Sequence, residues 1–201
     1  MKRKSEIRRT TTETDIRLAL CLDGKGGAGL NYPIGFMGHM LTAFARHGLF
    51  DLELSASGDL EVDQHHLVED TGIVLGQCFA RALGERRGIR RIGNCLFPMD
   101  ETLASAAADL SGRPFLFFHG DLSNRPLVSG ASSFQTDTVA DFWQGFVNAA
   151  GITLHLEIVR GRSDHHKIEA LFKAAARALR EAAARDPDSP DDIPSTKGTL
   201  A

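Results

Sequence analysis

The sequence lacks a long hydrophobic run, an excess of basic residues and a set of regularly spaced cysteines. No apolar stretch approaches the roughly 20 residues of a membrane-spanning helix, so we expect no membrane segment. The net charge of −3 argues against a nucleic-acid partner, since such proteins usually present a basic face. The three cysteines are odd in number and lack the spacing of a metal site, which indicates free thiols in a reducing, cytoplasmic location.

Two further signals are missing. The basic residues at positions 2–9 are followed by threonines rather than by an apolar run, so no signal peptide is expected. There is no glycine-rich phosphate loop, and Ser195-Thr196-Lys197-Gly198 is too short to count as one. A chain of 201 residues with 42% hydrophobic content can form one compact domain or two small fused ones.

The sequence does contain two copies of a His-His-x-x-Glu motif, at residues 65–69 and 165–169. On an α-helix, residues four apart share a face, whereas adjacent residues diverge by about 100°. His65 and Glu69 can therefore bind one ion together, and so can His165 and Glu169. The second histidine of each motif points elsewhere, towards another ion or another partner.

The imidazole nitrogens and carboxylate oxygens of these motifs suit a divalent metal such as Mn²⁺, Zn²⁺ or Fe²⁺. One such motif would be typical of a solvated helix start. Two copies in a chain with eight histidines favour a metal site.

The elements around the motifs repeat. The first half predicts a strand at 16–22, a helix at 36–47 closed by Gly48, a strand at 51–55, a short strand at 60–62 and a helix from His65 to about Leu83. A shift of 102 residues places Phe44 on Phe146 and Leu52 on Leu154. We therefore predict an internally duplicated α+β fold, whose halves (1–93 and 94–187) are two-layer α/β sandwiches that pack through their helices, followed by a polar tail at 188–201.

Other side chains could serve the same site. His39 lies on the earlier helix, its counterpart under the shift is Asp141, and His47 follows two turns later near the same face. Glu13 alone would be a surface carboxylate. The groups available for a phosphate are Arg91, Arg113, Lys173, Ser195 and Lys197, each of which by itself is more typical of a solvated surface.

Ordered motifs along nearly the whole chain carry a family resemblance. They are Arg-x-Thr-x-Glu-Thr at 9–14, Leu-Asp-Gly at 22–24, Gly-Phe-x-x-His-Met-Leu at 35–41, Val-Asp-x-His-His-x-x-Glu-Asp-x-Gly at 62–72, Pro-Met-Asp-Glu at 98–101, Asp-x-Ser-Gly-Arg-Pro at 109–114, the second histidine motif, and Pro-Ser-Thr-Lys-Gly at 194–198. Together they resemble imidazoleglycerol-phosphate dehydratase of histidine biosynthesis.

The resemblance implies halves like the second domain of ribosomal protein S5, trimers assembled into a large homo-oligomer, and active sites between subunits with two Mn²⁺ ions each. It implies the following ligand sets: His39, His66, His165 and Glu169 for one ion, and His65, Glu69, His166 and Asp141 for the other. It makes Glu13 the acid/base residue, places His39, His47 and Lys173 at the substrate, and assigns the phosphate to Arg91, Arg113, Ser195, Thr196 and Lys197.

The reaction implied is the dehydration of imidazole glycerol phosphate to imidazole acetol phosphate. The sequence departs from the family pattern at Gly38 and Gln64, where the family usually has Asp, and at Asp141, where it usually has His. A carboxylate at 141 still suits Mn²⁺. The departures keep two alternatives open: a diverged relative acting on another phosphorylated azole, and a non-catalytic protein assembled by metal ions.

Overall fold

The structure is a computed structural model that describes residues 2–123, 125–127 and 133–200. In the first half, a four-stranded sheet carries two helices on one face. Its elements are β1 (Lys4–Thr10), β2 (Thr14–Cys21), β3 (Ala28–Asn31), α1 (Gly35–Gly48), β4 (Asp51–Gly58) and α2 (His65–Leu83). The strand order is β1-β2-β4-β3, with β3 parallel to β4 and the other pairs antiparallel. In β2, Ile16, Leu18 and Leu20 face the helices because side chains alternate along a strand.

The second half repeats this arrangement. Its elements are β5 (Ile92–Met99), β6 (Thr102–Asp109), β7 (Phe115–His119), α3 (Thr138–Ala150), β8 (Thr153–Arg160) and α4 (Asp164–Ala182). The strand order is β5-β6-β8-β7, again with one parallel pair, β7 with β8. The predicted duplicated α+β fold is confirmed, while the division at residues 93 and 187 stays a prediction.

The two halves meet through their helices. Helix α2 packs along α3, and α1 packs along α4, so each helix contacts a helix of the other half as well as its own sheet. Trp143 on α3 lies at this junction, fully buried, with its ring 4.8 Å from that of Phe172 and 6.3 Å from that of Phe44. Each such aromatic side chain removes a large apolar area from water, so this cluster stabilises the contact between the halves.

Close approach of α2 and α3 depends on glycine. A Cβ atom on Gly72 of α2 would lie 2.2 Å from the backbone oxygen of Phe142 on α3. Because backbone cannot move aside as a flexible side chain can, any larger residue at 72 would push the two helices apart.

Two sequence predictions about local structure are wrong. Residues 60–62 form a turn rather than a strand, because the N–H of Val62 bonds back to the carbonyl of Asp59 at 2.8 Å and Leu60 and Val62 are exposed. Gly48 is the last residue of α1 rather than its left-handed cap. The left-handed conformation is that of the next residue, Leu49 (φ 52°). A glycine is still needed at position 48, because a Cβ there would lie 2.4 Å from the Phe50 ring.

The polar tail lies against the connection between the halves. The N–H of Gly88 donates to the carbonyl of Asp192 at 2.9 Å, and Arg91 donates to the carbonyl of Pro194 at 2.7 Å. These bonds hold residues 195–197 close to Arg91. Across the described part of the chain, every helix is too short or too polar to cross a bilayer.

Candidate metal and active site

Three predicted ligands converge where α1 packs on α4. His39 comes from α1, and His165 and Glu169 lie one turn apart on α4. The Nε2 atoms of His165 and His39 lie 3.2 Å and 3.5 Å from Oε2 of Glu169. Among the described residues, this is the one group of three or more His, Cys, Asp or Glu whose ligand atoms all lie within 4.8 Å of one another.

The spacing of this group fits a divalent ion. Ligand bonds of about 2.1 Å with angles between 90° and 109° place neighbouring donor atoms about 3.0–3.4 Å apart. Two imidazole nitrogens and one carboxylate oxygen are a donor set that manganese, iron and zinc accept. Both histidine side chains are about half exposed, which leaves room for further ligands.

The other oxygen of Glu169 is already paired. Lys173 Nζ lies 2.7 Å from its Oε1, so the ammonium and the two imidazoles face opposite oxygens of one carboxylate. Burial of Glu169 raises its pKa, but the hydrogen bond and charge of Lys173, with His39, outweigh burial, and the net pKa is below the ordinary value. Glu169 is therefore held ionised, as a metal ligand must be.

A second, smaller group forms where α2 packs on α3. His65 Nε2 lies 3.6 Å from Oδ2 of Asp141, and both side chains are about two-fifths exposed. The helical spacing places Glu69 one turn after His65 on α2. The pair shows that residue 141 reaches the first histidine motif.

The second histidine of the first motif takes a different direction. Its Nδ1 atom lies 3.0 Å from Oδ2 of Asp59 and 4.0 Å from Oε2 of Glu13. The hydrogen bond with Asp59 raises the pKa of His66. With Nδ1 engaged, Nε2 is the nitrogen of His66 left for a ligand bond.

His166 in the second motif has an equivalent partner. Its Nδ1 atom lies 2.9 Å from Oε2 of Glu101, in the turn between β5 and β6. The hydrogen bond from His166, supported by the backbone N–H of Ser163, lowers the pKa of Glu101 to about 2. Asp59 and Glu101 were not among the predicted site residues, although Glu101 belongs to the Pro-Met-Asp-Glu motif.

Gln64, one of the departures from the family pattern, connects the halves. Its side-chain nitrogen donates to the carbonyl of Ser133 at 2.6 Å, and its side-chain oxygen accepts from the N–H of Gln135 at 3.1 Å. Gln64 therefore fixes the start of α2 to the segment that leads into α3, next to His65.

His47 and Lys173 share one aromatic neighbour. The His47 ring meets the ring of Phe97 edge-on at 5.3 Å, and Lys173 Nζ lies 5.5 Å from the centre of that ring. Burial and then the positive charge of Lys173 lower the pKa of His47. Lys173 connects this pair to the ligand group through Glu169.

The predicted phosphate residues line one open cavity of about 460 Å³. Its lining residues are Arg91, Arg113, Pro194, Ser195, Thr196, Lys197 and Thr199. Nε of Arg91 lies 2.7 Å from Oδ1 of Asp109, and the exposed Arg113 lies 3.7 Å from the other oxygen of the same carboxylate. Lys197 is exposed. Asp109 was not among the predicted site residues either, although it is the first residue of the Asp-x-Ser-Gly-Arg-Pro motif.

The structure thus brings together part of each implied ligand set. His39, His165 and Glu169 meet, as do His65 and Asp141. His66 and His166 are each directed to a turn carboxylate instead. Within one chain, neither implied set of four is complete.

Known proteins resemble the chain over nearly its whole length. The family model described as imidazoleglycerol-phosphate dehydratase matches residues 33–179. The chain is 50% identical over 199 residues to the imidazoleglycerol-phosphate dehydratase of Acidovorax sp. (strain JS42), covering 98% of this chain and 92% of that protein. It is 52% identical over 198 residues to that of Azorhizobium caulinodans, covering 98% of both.

Solved structures give the same result. The imidazoleglycerol-phosphate dehydratase of Staphylococcus aureus superimposes with a TM-score of 0.79 at 36% identity, covering 90% of this chain and 99% of that one. The enzyme from Pyrococcus furiosus superimposes with a TM-score of 0.80 at 33% identity, covering 96% of this chain and 100% of that one. The chain therefore belongs to the imidazoleglycerol-phosphate dehydratase family, the hydro-lyases of histidine biosynthesis.

Proposed function

We propose that the chain converts imidazole glycerol phosphate to imidazole acetol phosphate with the help of two Mn²⁺ ions per active site. The observation that carries the proposal is the group formed by His39, His165 and Glu169, whose spacing and donor types suit such an ion. His65 and Asp141, with Glu69 one turn later on α2, are the corresponding ligands for the second ion.

A neighbouring copy of the chain completes both ligand sets in this proposal. His66 would join the set of His39, and His166 would join the set of His65. Support comes from their orientation, since Asp59 and Glu101 engage Nδ1 of each imidazole and leave Nε2 for a ligand bond. Carboxylates that orient imidazoles in this way usually also raise their strength as ligands.

Dehydration removes the hydroxyl from the carbon beside the imidazole ring and a proton from the next carbon, and the two leave together as water. The difficulty is that this C–H proton is not acidic by itself. When bound, the two ions would supply positive charge that stabilises negative charge on the imidazole ring as the hydroxyl leaves. Glu13, half-exposed and 4.0 Å from His66, takes or returns the proton. His39, His47 and Lys173 hold the substrate on the α1–α4 side of the site, where Lys173 also keeps Glu169 ionised.

The substrate's phosphate group occupies the cavity lined by Arg91, Arg113, Ser195, Thr196 and Lys197. Exposed guanidinium and ammonium groups beside hydroxyls are a typical arrangement for phosphate recognition. Binding there positions the substrate and does not itself break bonds.

Self-association into trimers and then a larger particle is part of the proposal. The outer face of the second sheet exposes large apolar side chains, namely Ile92, Leu96, Phe115, Phe117 and Val159, which are 44–64% exposed. The outer face of the first sheet carries charges instead, among them Glu6, Arg17 and Glu53. Apolar patches of this kind mark protein interfaces. The three free cysteines favour a reducing, cytoplasmic location.

A direct assay tests the proposal. Purified protein, stripped of metal and reloaded with Mn²⁺, should form product from imidazole glycerol phosphate and should restore growth of a histidine-requiring strain that lacks the dehydratase. Absence of product at every metal loading, with folded and assembled protein, would overturn it. Sedimentation of the same preparation reports the particle size independently of activity.

A further inference from the structure

Two of the sequence motifs meet at a buried carboxylate that has no part in the proposed chemistry. Asp70 follows Glu69 on α2 and is 7% exposed. Its Oδ2 atom accepts a hydrogen bond from Oγ1 of Thr14 at 2.5 Å and forms an ion pair with Arg9. Arg9 and Thr14 are the first and last residues of the Arg-x-Thr-x-Glu-Thr motif, which contains Glu13.

The turn between these two contacts is tightly closed. Oγ1 of Thr11 accepts from the backbone N–H groups of Glu13 at 3.1 Å and Thr14 at 3.0 Å. The N–H of Thr11 donates to the carbonyl of Thr14 at 2.8 Å. Since the Thr14 side chain points inward to Asp70, the preceding Glu13 side chain projects out of the turn.

The same turn is connected to His66 by its backbone. The carbonyl of Glu13 accepts from the N–H of Asp59 at 3.1 Å, and the carboxylate of Asp59 binds Nδ1 of His66. A displacement of the turn would therefore move the carboxylate of Glu13 and loosen the partner of His66 together.

We propose that Asp70 is a positioning residue for Glu13: it anchors Arg9 and Thr14 and thereby fixes the carboxylate of Glu13 beside His66. The inference rests on the proposed acid/base role of Glu13. A buried charge that binds two partners on the same short segment restrains that segment much more than an exposed pair would. A displacement of about 1 Å at a reacting group can lower the rate roughly 100-fold.

A set of three threonine variants tests the proposal in the full-length, Mn²⁺-loaded protein. Thr14→Val removes the hydroxyl that binds Asp70, and Thr14→Ser retains it. Thr10→Val is a matched control, because Oγ1 of Thr10 also binds a carboxylate, that of Asp15 at 2.8 Å, but on the exposed face of the same hairpin. We expect Thr14→Val to lower kcat about 10–100-fold with KM and metal content within about twofold of the parent. Thr14→Ser and Thr10→Val should stay within about twofold in all three.

Hydrogen exchange provides a second measurement. In Thr14→Val, amide exchange should become faster in residues 10–16 and stay unchanged in α3 and α4. Asp70→Asn should reproduce both effects if it folds, and the threonine set decides the question if it does not. An unchanged kcat in Thr14→Val, or an equal loss in Thr14→Ser, would overturn the proposal. So would a loss of activity accompanied by faster exchange throughout the chain.

The variant Glu13→Gln separates this inference from the proposed function. If Glu13→Gln keeps full activity, the acid/base assignment fails, and the positioning role fails with it. If Glu13→Gln is inactive while Thr14→Val is fully active, the acid/base assignment stands and only the role of Asp70 is wrong.

Discussion

The ammonium group of Lys173 lies 2.7 Å from Oε1 of Glu169, one turn earlier on α4. Because His39 and His165 face the other oxygen of this carboxylate, an ion bound there would share Glu169 with a fixed positive charge. Lys173 would therefore compete with a bound ion for the negative charge of Glu169 at this proposed metal site.

Replacement of Lys173 by Met should strengthen manganese binding at that site. Loss of a positive charge a few ångströms from the ion removes a repulsion of about 1 kcal/mol or more, even with the dielectric constant of bulk water. We expect the Kd for Mn²⁺, measured by titration calorimetry, to fall at least about fivefold. Lys167→Met, which breaks an ion pair with Asp164 on the same helix, is the control. Weaker manganese binding in Lys173→Met would contradict the shared-carboxylate arrangement.

Replacement of Glu13 by Gln should remove turnover and leave the proposed particle intact. General acid/base groups contribute roughly 10²–10⁴-fold to rate, so kcat should fall by that factor. Steady-state kinetics measures kcat, metal analysis measures the metal content, and sedimentation measures the particle size. Glu6→Gln, which alters an exposed carboxylate paired with Arg17 on the same hairpin, should leave all three unchanged. Comparable kcat values for the two variants would exclude Glu13 from the chemistry.

Replacement of Lys197 by Ala should raise KM for the phosphorylated substrate with little change in kcat. A charged hydrogen bond contributes about 1.5–3 kcal/mol, which corresponds to an increase in KM of roughly 10–150-fold. The exposed Lys25, on the loop after β2, provides the control Lys25→Ala. An unchanged KM in Lys197→Ala would remove the cavity at Arg91 and Ser195 as the phosphate site.

The ion pair of Arg3 with Asp23 should make stability depend on acid pH. The hydrogen bond from Arg3, at 2.6 Å, lowers the pKa of Asp23 to about 2 despite partial burial, from an ordinary value of 3.8. A lowered folded-state pKa means that the pair stabilises the protein fully above about pH 4 and loses this effect as the pH falls towards 2.

Asp23→Asn should therefore cost about 1–2 kcal/mol at pH 7, after allowance for solvent screening. The corresponding decrease in Tm is about 2–8 °C for a chain of this size. Thermal unfolding from pH 7 to pH 3 should show the difference from the parent protein shrinking as the pH falls. The exposed Asp188 offers the control Asp188→Asn, which should not shift Tm. If the difference in Tm between the parent protein and Asp23→Asn grew as the pH fell, the ion pair would not have the expected effect.

Replacement of Gly72 by Ala should separate α2 from α3. The added Cβ would overlap the backbone oxygen of Phe142, and overpacking of this kind costs about 1–3 kcal/mol or more. Because α2 carries His65 and α3 carries Asp141, manganese binding by that pair should also weaken. Gly35→Ala, where a Cβ would meet nothing within 4 Å, should be neutral or slightly stabilising. Thermal unfolding and metal titration of both variants test this prediction. If Gly72→Ala were as stable as Gly35→Ala, the two helices would be able to adjust to the added Cβ.

Much of the fold was predictable because local patterns and tertiary packing agree. Apolar alternation predicted β2 and β4, helical spacing predicted α1 and α2, and the internal shift predicted the second half. Strand β1 was missed because residues 4–10 contain a single apolar residue, Ile7. Its strand structure depends on pairing with β2 and on the bond from Ser5 to the carbonyl of Cys78.

The spacing of several candidate site residues was predictable from the sequence, but the side chains that they contact were not. The spacing of His165 and Glu169 on one helix face follows from helix geometry, and the repeat identified His39 and Asp141. The contacts of His66 with Asp59 and of His166 with Glu101 could not be read from spacing, because turns and tertiary packing determine where those carboxylates lie. The contacts of Asp70 with Arg9 and Thr14 could not be predicted from the sequence for the same reason.

The pairing of α1 with α4 and of α2 with α3 has a consequence for how such a chain could have arisen. His39 and His165 come from opposite halves, and so do His65 and Asp141. A half-length ancestor would have needed a second copy of itself to bring the same helices together, so the proposed metal binding would have depended on protein concentration. Fusion of the two copies makes that encounter intramolecular, with an effective concentration that dilution cannot lower.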